Sequence, residues 1–213
     1  MENVAALVSD KFIGTFNQWQ LELERYGYTN FSQVLNAKNY GVPQNRERIF
    51  MVSVLNCEQA FYFPAPIPLT KRLKDVLETE VDEKYYLSDK VIEGWTKNNL
   101  VVEQIVLGWS RDEKGNVVDR HPVDVANCVT AAKRDNTQNF VVEPNFRIRK
   151  LTERECFRLM GVIDTDSDKI RAAVSKSQCY KLAGNSIVVD VMVGIFEQLL
   201  IGNKNTNQQL EIF

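Results

Sequence analysis

Residues 10–55 read DKFIGTFNQWQLELERYGYTNFSQVLNAKNYGVPQNRERIFMVSVL, and this stretch decides the fold class. Phe12, Phe16, Trp19 and Leu23 recur at steps of three and four, which predicts an amphipathic helix from Asp10 to Arg25 with one apolar stripe. Gly27 then stops it. Two runs rich in apolar and β-branched residues follow, YTNFSQVLNA at 28–37 and RIFMVSVL at 48–55, parted by the turn region Tyr40-Gly41-Val42-Pro43. They read as two strands of one sheet. A helix followed by strands predicts an α/β layer. In open α/β sheets functional side chains sit beyond the carboxyl ends of strands, so Glu2 holds the place of such a side chain if a strand precedes it.

The turn before the second strand carries Gln44, Asn45, Arg46, Glu47 and Arg48. Arg46 and Arg48 are two residues apart, so a strand aims both guanidiniums to one side. A guanidinium presents several planar donors without losing its charge, which suits a phosphate or the carbonyl oxygen of a base. By itself QNRER also fits a solvated strand entrance with Glu47 pairing across.

Two later segments combine a structured element with polar groups. In RKLTERECFRLMG (149–161), Thr152 and Glu155 form a capping box that fixes a helix start, and Cys156, Leu159 and Met160 supply an apolar face ending at Gly161. In AGNSIVVDVMVGIFEQLL (183–200), Gly184, Asn185 and Ser186 read as a turn that opens the final helix. There the glycine permits a tight backbone, and the amide and hydroxyl can bond a small polar ligand at the positive helix end. Asn and Ser are also ordinary N-caps.

Residues 73–144 are less regular. KRLKDVLE (71–78) and DKVIEGWTK (89–97) read as short helices and LVVEQIVLGW (100–109) as a strand, followed by the turn-rich RDEKGNVVDRHP (111–122), in which His121 reads as a loop residue. ANCVTAAKRD (126–135), NTQNF and VVEP then give a strand-loop-strand pattern with Lys133 and Arg134 in the loop. Such a loop suits the presentation of donors to base edges, each good bidentate pair discriminating by about 1–3 kcal/mol. It fits an ordinary surface hairpin equally.

With 213 residues, 44% hydrophobic and 25% charged, the chain has the composition of a soluble globular protein of one large or two small domains. A net charge of -2 argues against indiscriminate nucleic-acid binding and leaves local patches to decide. Cys57, Cys128, Cys156 and Cys179 are scattered, with only His121 to join them, so the pattern predicts buried free thiols and neither a zinc site nor a disulfide framework, and no metal is expected. The apolar run Ile187 to Gly194 is short and interrupted by Asp190, and no basic-then-apolar signal opens the chain. The expectation is a cytoplasmic protein with no membrane partner.

Taken together, ENV (2–4), PQNRERIFMV (43–52), RKLTERECFRLMG (149–161) and AGNSIVV (183–189) resemble the sixth, eighth, ninth and tenth motifs of the cytosine-5 DNA methyltransferases, in the family's order. The resemblance implies an α/β fold: a partial Rossmann-like methyltransferase sheet plus a small mixed, β-containing target-recognition domain. Residues 1–72 would be catalytic, 73–146 the recognition domain, and 147–213 the return to the catalytic domain. It further implies S-adenosylmethionine as cofactor and double-stranded DNA as partner, with a flipped-out cytosine methylated at C5. Glu2 would activate the base, Arg48 contact its carbonyl or phosphate, and Arg46 support the site. Asn185 and Ser186 would line the cofactor pocket, and Gln44, Thr130, Lys133 and Arg134 would face DNA.

The sequence also departs from the family. Neither its glycine-rich first motif nor its Pro-Cys nucleophile motif occurs in these residues. The expectation is a bacterial or phage protein that is inactive alone and needs a missing N-terminal half, as the smaller subunit of a split enzyme or as a truncation product. The edge beside Val4 and the final-helix face at Val188, Val191, Ile195 and Leu199 would be the apolar surface that half covers. Two other readings stay open: a non-catalytic DNA-binding module and an RNA-directed relative.

Overall fold

In a computed structural model, residues 1–57, 60–88, 105–111, 117–131, 139–143 and 147–201 are described. Strand β1 (Glu2–Val4), helix α1 (Ile13–Arg25), and strands β2 (Tyr28–Asn36), β3 (Gln44–Asn45) and β4 (Glu47–Leu55) come first. β1, β4 and β2 form an antiparallel sheet in that spatial order, with Glu2 opposite Phe50, Val4 opposite Arg48, and β2 paired to β4 along its whole length. Side chains alternate across β4. Ile49 and Met51 pack with Phe16 of α1 in a small core, while Phe50 faces the main core. Both faces of β4 are therefore covered, which accounts for its unbroken apolar run.

The expected helix and both strands are present. Gly27, at φ 85°, ends α1 in the left-handed region that a Cβ disfavours. The apolar stripe is buried only at its centre: Phe12 and Trp19 are each 42% exposed.

A second antiparallel sheet has the order β6-β5-β8-β9, from β5 (Ile105–Arg111), β6 (Val117–Pro122), β8 (Phe140–Val142) and β9 (Ile148–Lys150). The strand expected at 100–109 is thus present from Ile105. His121 lies in β6, paired with Gly108, and not in a loop. Residues 71–78 give a single 3-10 turn, Leu73–Val76, in place of a helix, and the helix expected at 89–97 lies outside the described residues. The strand-loop-strand pattern at 126–142 is not a hairpin. β7 (Ala126–Asn127) pairs in parallel with β3, whereas β8 pairs with β5 and β9. Local patterning shows that a segment is extended, but its partner is fixed by long-range packing.

Four helices close the described chain: α2 (Glu153–Arg158), α3 (Asp164–Ala173), α4 (Lys176–Asn185) and α5 (Val189–Ile201). α2 starts with the expected capping box: Glu155 N donates to Thr152 Oγ1 and Thr152 N to Glu155 Oε2. Its apolar residues Cys156, Leu159 and Met160 are fully buried. The main core joins Leu35, Phe50 and Val42 to Leu73, Val129, Val141, Leu151, Tyr180 and Ile195.

Of the four free cysteines, Cys156 and Cys179 are buried as expected, whereas Cys57 and Cys128 are half-buried. Burial pushes the Cys156 thiol well above its ordinary pKa. Lys176–Ile201 is long and apolar enough, by length and composition, to cross a membrane. The chain breaks at Ser186, however, into helices of 10 and 13 residues. At about 1.5 Å per residue neither spans a hydrocarbon layer of about 30 Å.

A candidate active site where three distant segments meet

The β1–β4 register builds the centre of the site. Glu2 and Val4 share one face of β1, and Arg48 stands opposite Val4, so Glu2 is its diagonal neighbour across the strands. Long side chains bridge that gap: Arg48 Nε lies 3.2 Å from Glu2 Oε1, with both side chains mostly shielded from water. Glu2 Oε1 is buried without an aligned hydrogen bond, so the contact is one of charge. Arg48 Nη1 donates to the carbonyl of Glu47 at 2.7 Å. Glu47 does not pair across to either arginine through its carboxylate; its Oε1 accepts from Asn36 Nδ2 at 3.3 Å.

Arg46 points to the same side and is only 4% exposed. Its Nη2 donates to the carbonyls of Gly184 at 3.1 Å and Ser186 at 2.8 Å, and its Nη1 donates to the Val129 carbonyl at 3.0 Å. The last carbonyls of a helix lack intrahelical partners and carry partial negative charge, so this guanidinium caps the end of α4. Burial depresses the Arg46 pKa below its ordinary value; Cys128 and Glu2 oppose that effect. One arginine thus joins the sheet, the segment after β7 and the α4–α5 corner.

Gln44, expected to face DNA, presents no exposed side chain. It is fully buried, with Nε2 donating to the Leu159 carbonyl at 2.6 Å and Oε1 accepting from Val129 N at 2.9 Å. Both ends of the amide are spent on tertiary structure, which a surface reading of a polar turn could not foresee. Thr130 is half-buried beside this junction, and Lys133 and Arg134 lie outside the described residues.

Gly184, Asn185 and Ser186 do not open the final helix: the first two finish α4, Ser186 follows as its C-cap, and α5 begins three residues later at Val189. Gly184 is needed for a close approach. A Cβ there would lie 2.3 Å from Ala131 N and 2.4 Å from the Thr130 carbonyl carbon. Backbone cannot swing aside as a side chain can, so Gly184→Ala is expected to cost about 1–3 kcal/mol through overpacking. A thermal melt reads this as a fall of roughly 2–4 °C per kcal/mol, and an unchanged melt would show that the two segments are not packed this closely. Asn185 is exposed, and Ser186 Oγ donates to the Ile187 carbonyl at 3.2 Å, keeping its lone pairs as acceptors. The pair offers an exposed amide and a hydroxyl to a polar ligand, a fit to part of a cofactor site. Among the described residues no cluster of three or more His, Cys, Asp or Glu is placed to hold a metal.

The exposed apolar face of α5 also differs from expectation. Val188, at the turn before it, and Val191 and Ile195 are buried in the chain's own core, while Val189, Val193, Phe196 and Leu200 face outward. Leu199 is 39% exposed, and Val4 is exposed as expected. The sequence alone missed a buried pair: Arg149 and Glu155, both with fully buried side chains, meet through two hydrogen bonds of 2.9 and 3.0 Å. Their six-residue spacing, across the end of β9 and the start of α2, follows no strand or helix repeat and gave no signal.

Comparison with known proteins gives a consistent pattern. The family model described as C-5 cytosine-specific DNA methylase matches residues 1–200. The chain is 39% identical over 207 residues to the Type II methyltransferase M2.ScrFI of Lactococcus lactis subsp. cremoris, covering 93% of this chain and 53% of that protein. It is 33% identical over 202 residues to the Type II methyltransferase M.NlaX of Neisseria lactamica, covering 93% of this chain and 61% of that one. The chain thus spans little more than half the length of these curated relatives. Among solved structures, the S. pombe Dnmt2 methyltransferase superposes with a TM-score of 0.65 at 20% identity, over 94% of this chain and 64% of that one. This likeness is one of fold.

Proposed function

The chain belongs to the C-5 cytosine-specific DNA methylase family, and from that premise we propose that it is the C-terminal, target-recognising portion of a DNA (cytosine-5-)-methyltransferase. In this reading the enzyme modifies cytosine at C5 in a specific duplex sequence, within a bacterial or phage restriction-modification system in the cytoplasm. The observation that carries the reading is the convergence of Glu2, Arg48, Arg46 and Ser186, four residues from three segments, on one place in the fold. A pure binding module has no need of base-activating and cofactor-lining groups gathered in one place.

Each residue has a role in this reading. Glu2 hydrogen-bonds the N3 edge of a cytosine turned out of the helix and draws electron density from the ring, opening C6 to attack. Arg48 holds the ring carbonyl or the adjoining phosphate and keeps Glu2 oriented. Arg46 fixes the distance between the sheet and the α4–α5 corner. Asn185 and Ser186 bind the polar edge of S-adenosylmethionine, which supplies the methyl group as an electrophile. Thr130, Lys133 and Arg134 face DNA, with residues 73–146 forming the recognition domain between the catalytic segments 1–72 and 147–213.

The attack on C6 needs a thiolate, and no Pro-Cys pair is present in the sequence. We place that group, with the rest of the cofactor site, on the family's N-terminal half, carried by a separate chain or by a segment removed from this one. The outward Val189, Val193, Phe196 and Leu200 of α5, and Val4 on the edge strand β1, form apolar surface suited to such a partner. The test is tritium-methyl transfer from S-adenosylmethionine to duplex DNA, by this chain alone and mixed with a separately produced chain carrying the family's first five motifs. Transfer is expected only in the mixture. Transfer by the chain alone, or none in a mixture that binds both DNA and cofactor, would overturn the proposal.

A further inference from the structure

The sulfur of Cys128 lies where the two arginines meet, and the proposed function makes no use of it. Arg46 Nη1 stands 3.4 Å from Cys128 Sγ, and Arg48 Nη2 stands 3.6 Å from the same atom. Among the described residues no other side-chain atom hydrogen-bonds both guanidiniums. The Cys128 S–H is directed at the Val129 carbonyl, 3.5 Å away, which leaves the sulfur lone pairs to the arginines.

The two guanidiniums differ in how firmly they are held. Arg46 is locked by the carbonyls of Val129, Gly184 and Ser186. Arg48 has the Glu47 carbonyl, which belongs to its own strand, and Glu2, the group it serves. Its only described tie to an element outside the sheet is Cys128. A guanidinium held by one carbonyl of its own strand and by charge alone at Nε can still swing about its stem, and a further anchor at Nη2 restricts that freedom. A shared acceptor also lets two like charges stand close together.

The geometry points to Cys128 as a positioning residue: its sulfur couples Arg48 to the locked Arg46 and so sets the plane that Arg48 presents beside Glu2. The catalytic consequence rests on the proposed role of Arg48; the coupling itself does not. A serine keeps an acceptor at this position, a valine keeps the volume without one, and an alanine removes both.

The test is side-chain NMR of the arginine guanidinium N–H groups in the full chain, free of any assumption about activity. Loss of a hydrogen bond to a charged group corresponds to roughly a tenfold effect. In Cys128→Val, the Arg48 Nη2–H group, which loses its sulfur acceptor, is therefore expected to exchange with water roughly tenfold faster. The Arg149 Nε–H, bonded to Glu143, should not change. Cys128→Ser should restore slow exchange, and Cys128→Ala should repeat the valine result if valine fails to fold. Unchanged Arg48 exchange in the valine or alanine variant, or failure of serine to restore it, would overturn the coupling. In the complemented transfer assay, the valine variant should lower kcat roughly tenfold with KM unchanged, and serine should recover it. Absence of transfer by the wild-type mixture, with the NMR result intact, would overturn the methyltransferase reading and leave the coupling standing.

Discussion

Replacing Glu155 with alanine is expected to cost about 3–5 kcal/mol of folding stability, because it strands a charge inside the core. Arg149 and Glu155 are fully buried and meet through two parallel hydrogen bonds, and Arg149 Nε adds a third to Glu143 at 3.0 Å. Burial alone would lower the Arg149 pKa; the bonds from Glu155 and Glu143 more than offset it, so the guanidinium holds its proton above its ordinary value. Glu155 also accepts from the backbone N–H of Thr152 at 2.7 Å and of Glu78 at 2.8 Å. Alanine would therefore orphan two backbone donors and leave the buried guanidinium only Glu143 as a charged partner. Glu155→Gln, which keeps an acceptor, should cost less, and adding Arg149→Met to it should recover part of the loss by removing the stranded charge. Urea unfolding measures all three variants. A loss under about 1 kcal/mol for Glu155→Ala, the size of one neutral hydrogen bond, would mean that the pair is not buried as described.

Glu2→Gln is expected to lower methyl transfer by the complemented enzyme about 100- to 10,000-fold, the range for removing a positioned acid. Glutamine matches glutamate in shape, and the β1–β4 register rests on backbone pairing, so the sheet should hold. What it loses is a carboxyl group able to take up a proton and pass it to N3 of the base, which an amide cannot do. The loss should fall on kcat, while duplex binding stays near the wild-type level, because recognition is assigned to residues 73–146 and not to β1. Single-turnover transfer separates the two. Activity within a few-fold of wild type would remove Glu2 from the chemistry.

Much of the framework was legible before any coordinates. The i, i+3, i+4 apolar spacing of α1, the paired apolar runs of β2 and β4, and the Thr152–Glu155 capping box are local patterns, and each forms where it was expected. The order of four short motifs pointed to the family, and the family model's match over residues 1–200 agrees. The pairing of β7 with β3 was not legible, nor was the burial of Gln44, because each depends on which surfaces meet across roughly 80 or more residues of chain. The same holds for the final helix, where a strongly apolar sequence left open which face the protein's own core would take.

The sequence by itself determined the α/β class, the family and the residue types of the candidate site, because periodicity, capping and ordered motifs are local properties of a chain. Only the tertiary structure decided what those residues do to one another. It turned Gly184 from a helix-opening turn into a point of backbone contact, and Arg46 from one of two guanidiniums on a strand face into a buried cap on α4. It placed a cysteine sulfur between the two arginines. Such assignments are set by distances between segments far apart in sequence, and those distances are fixed when the core packs.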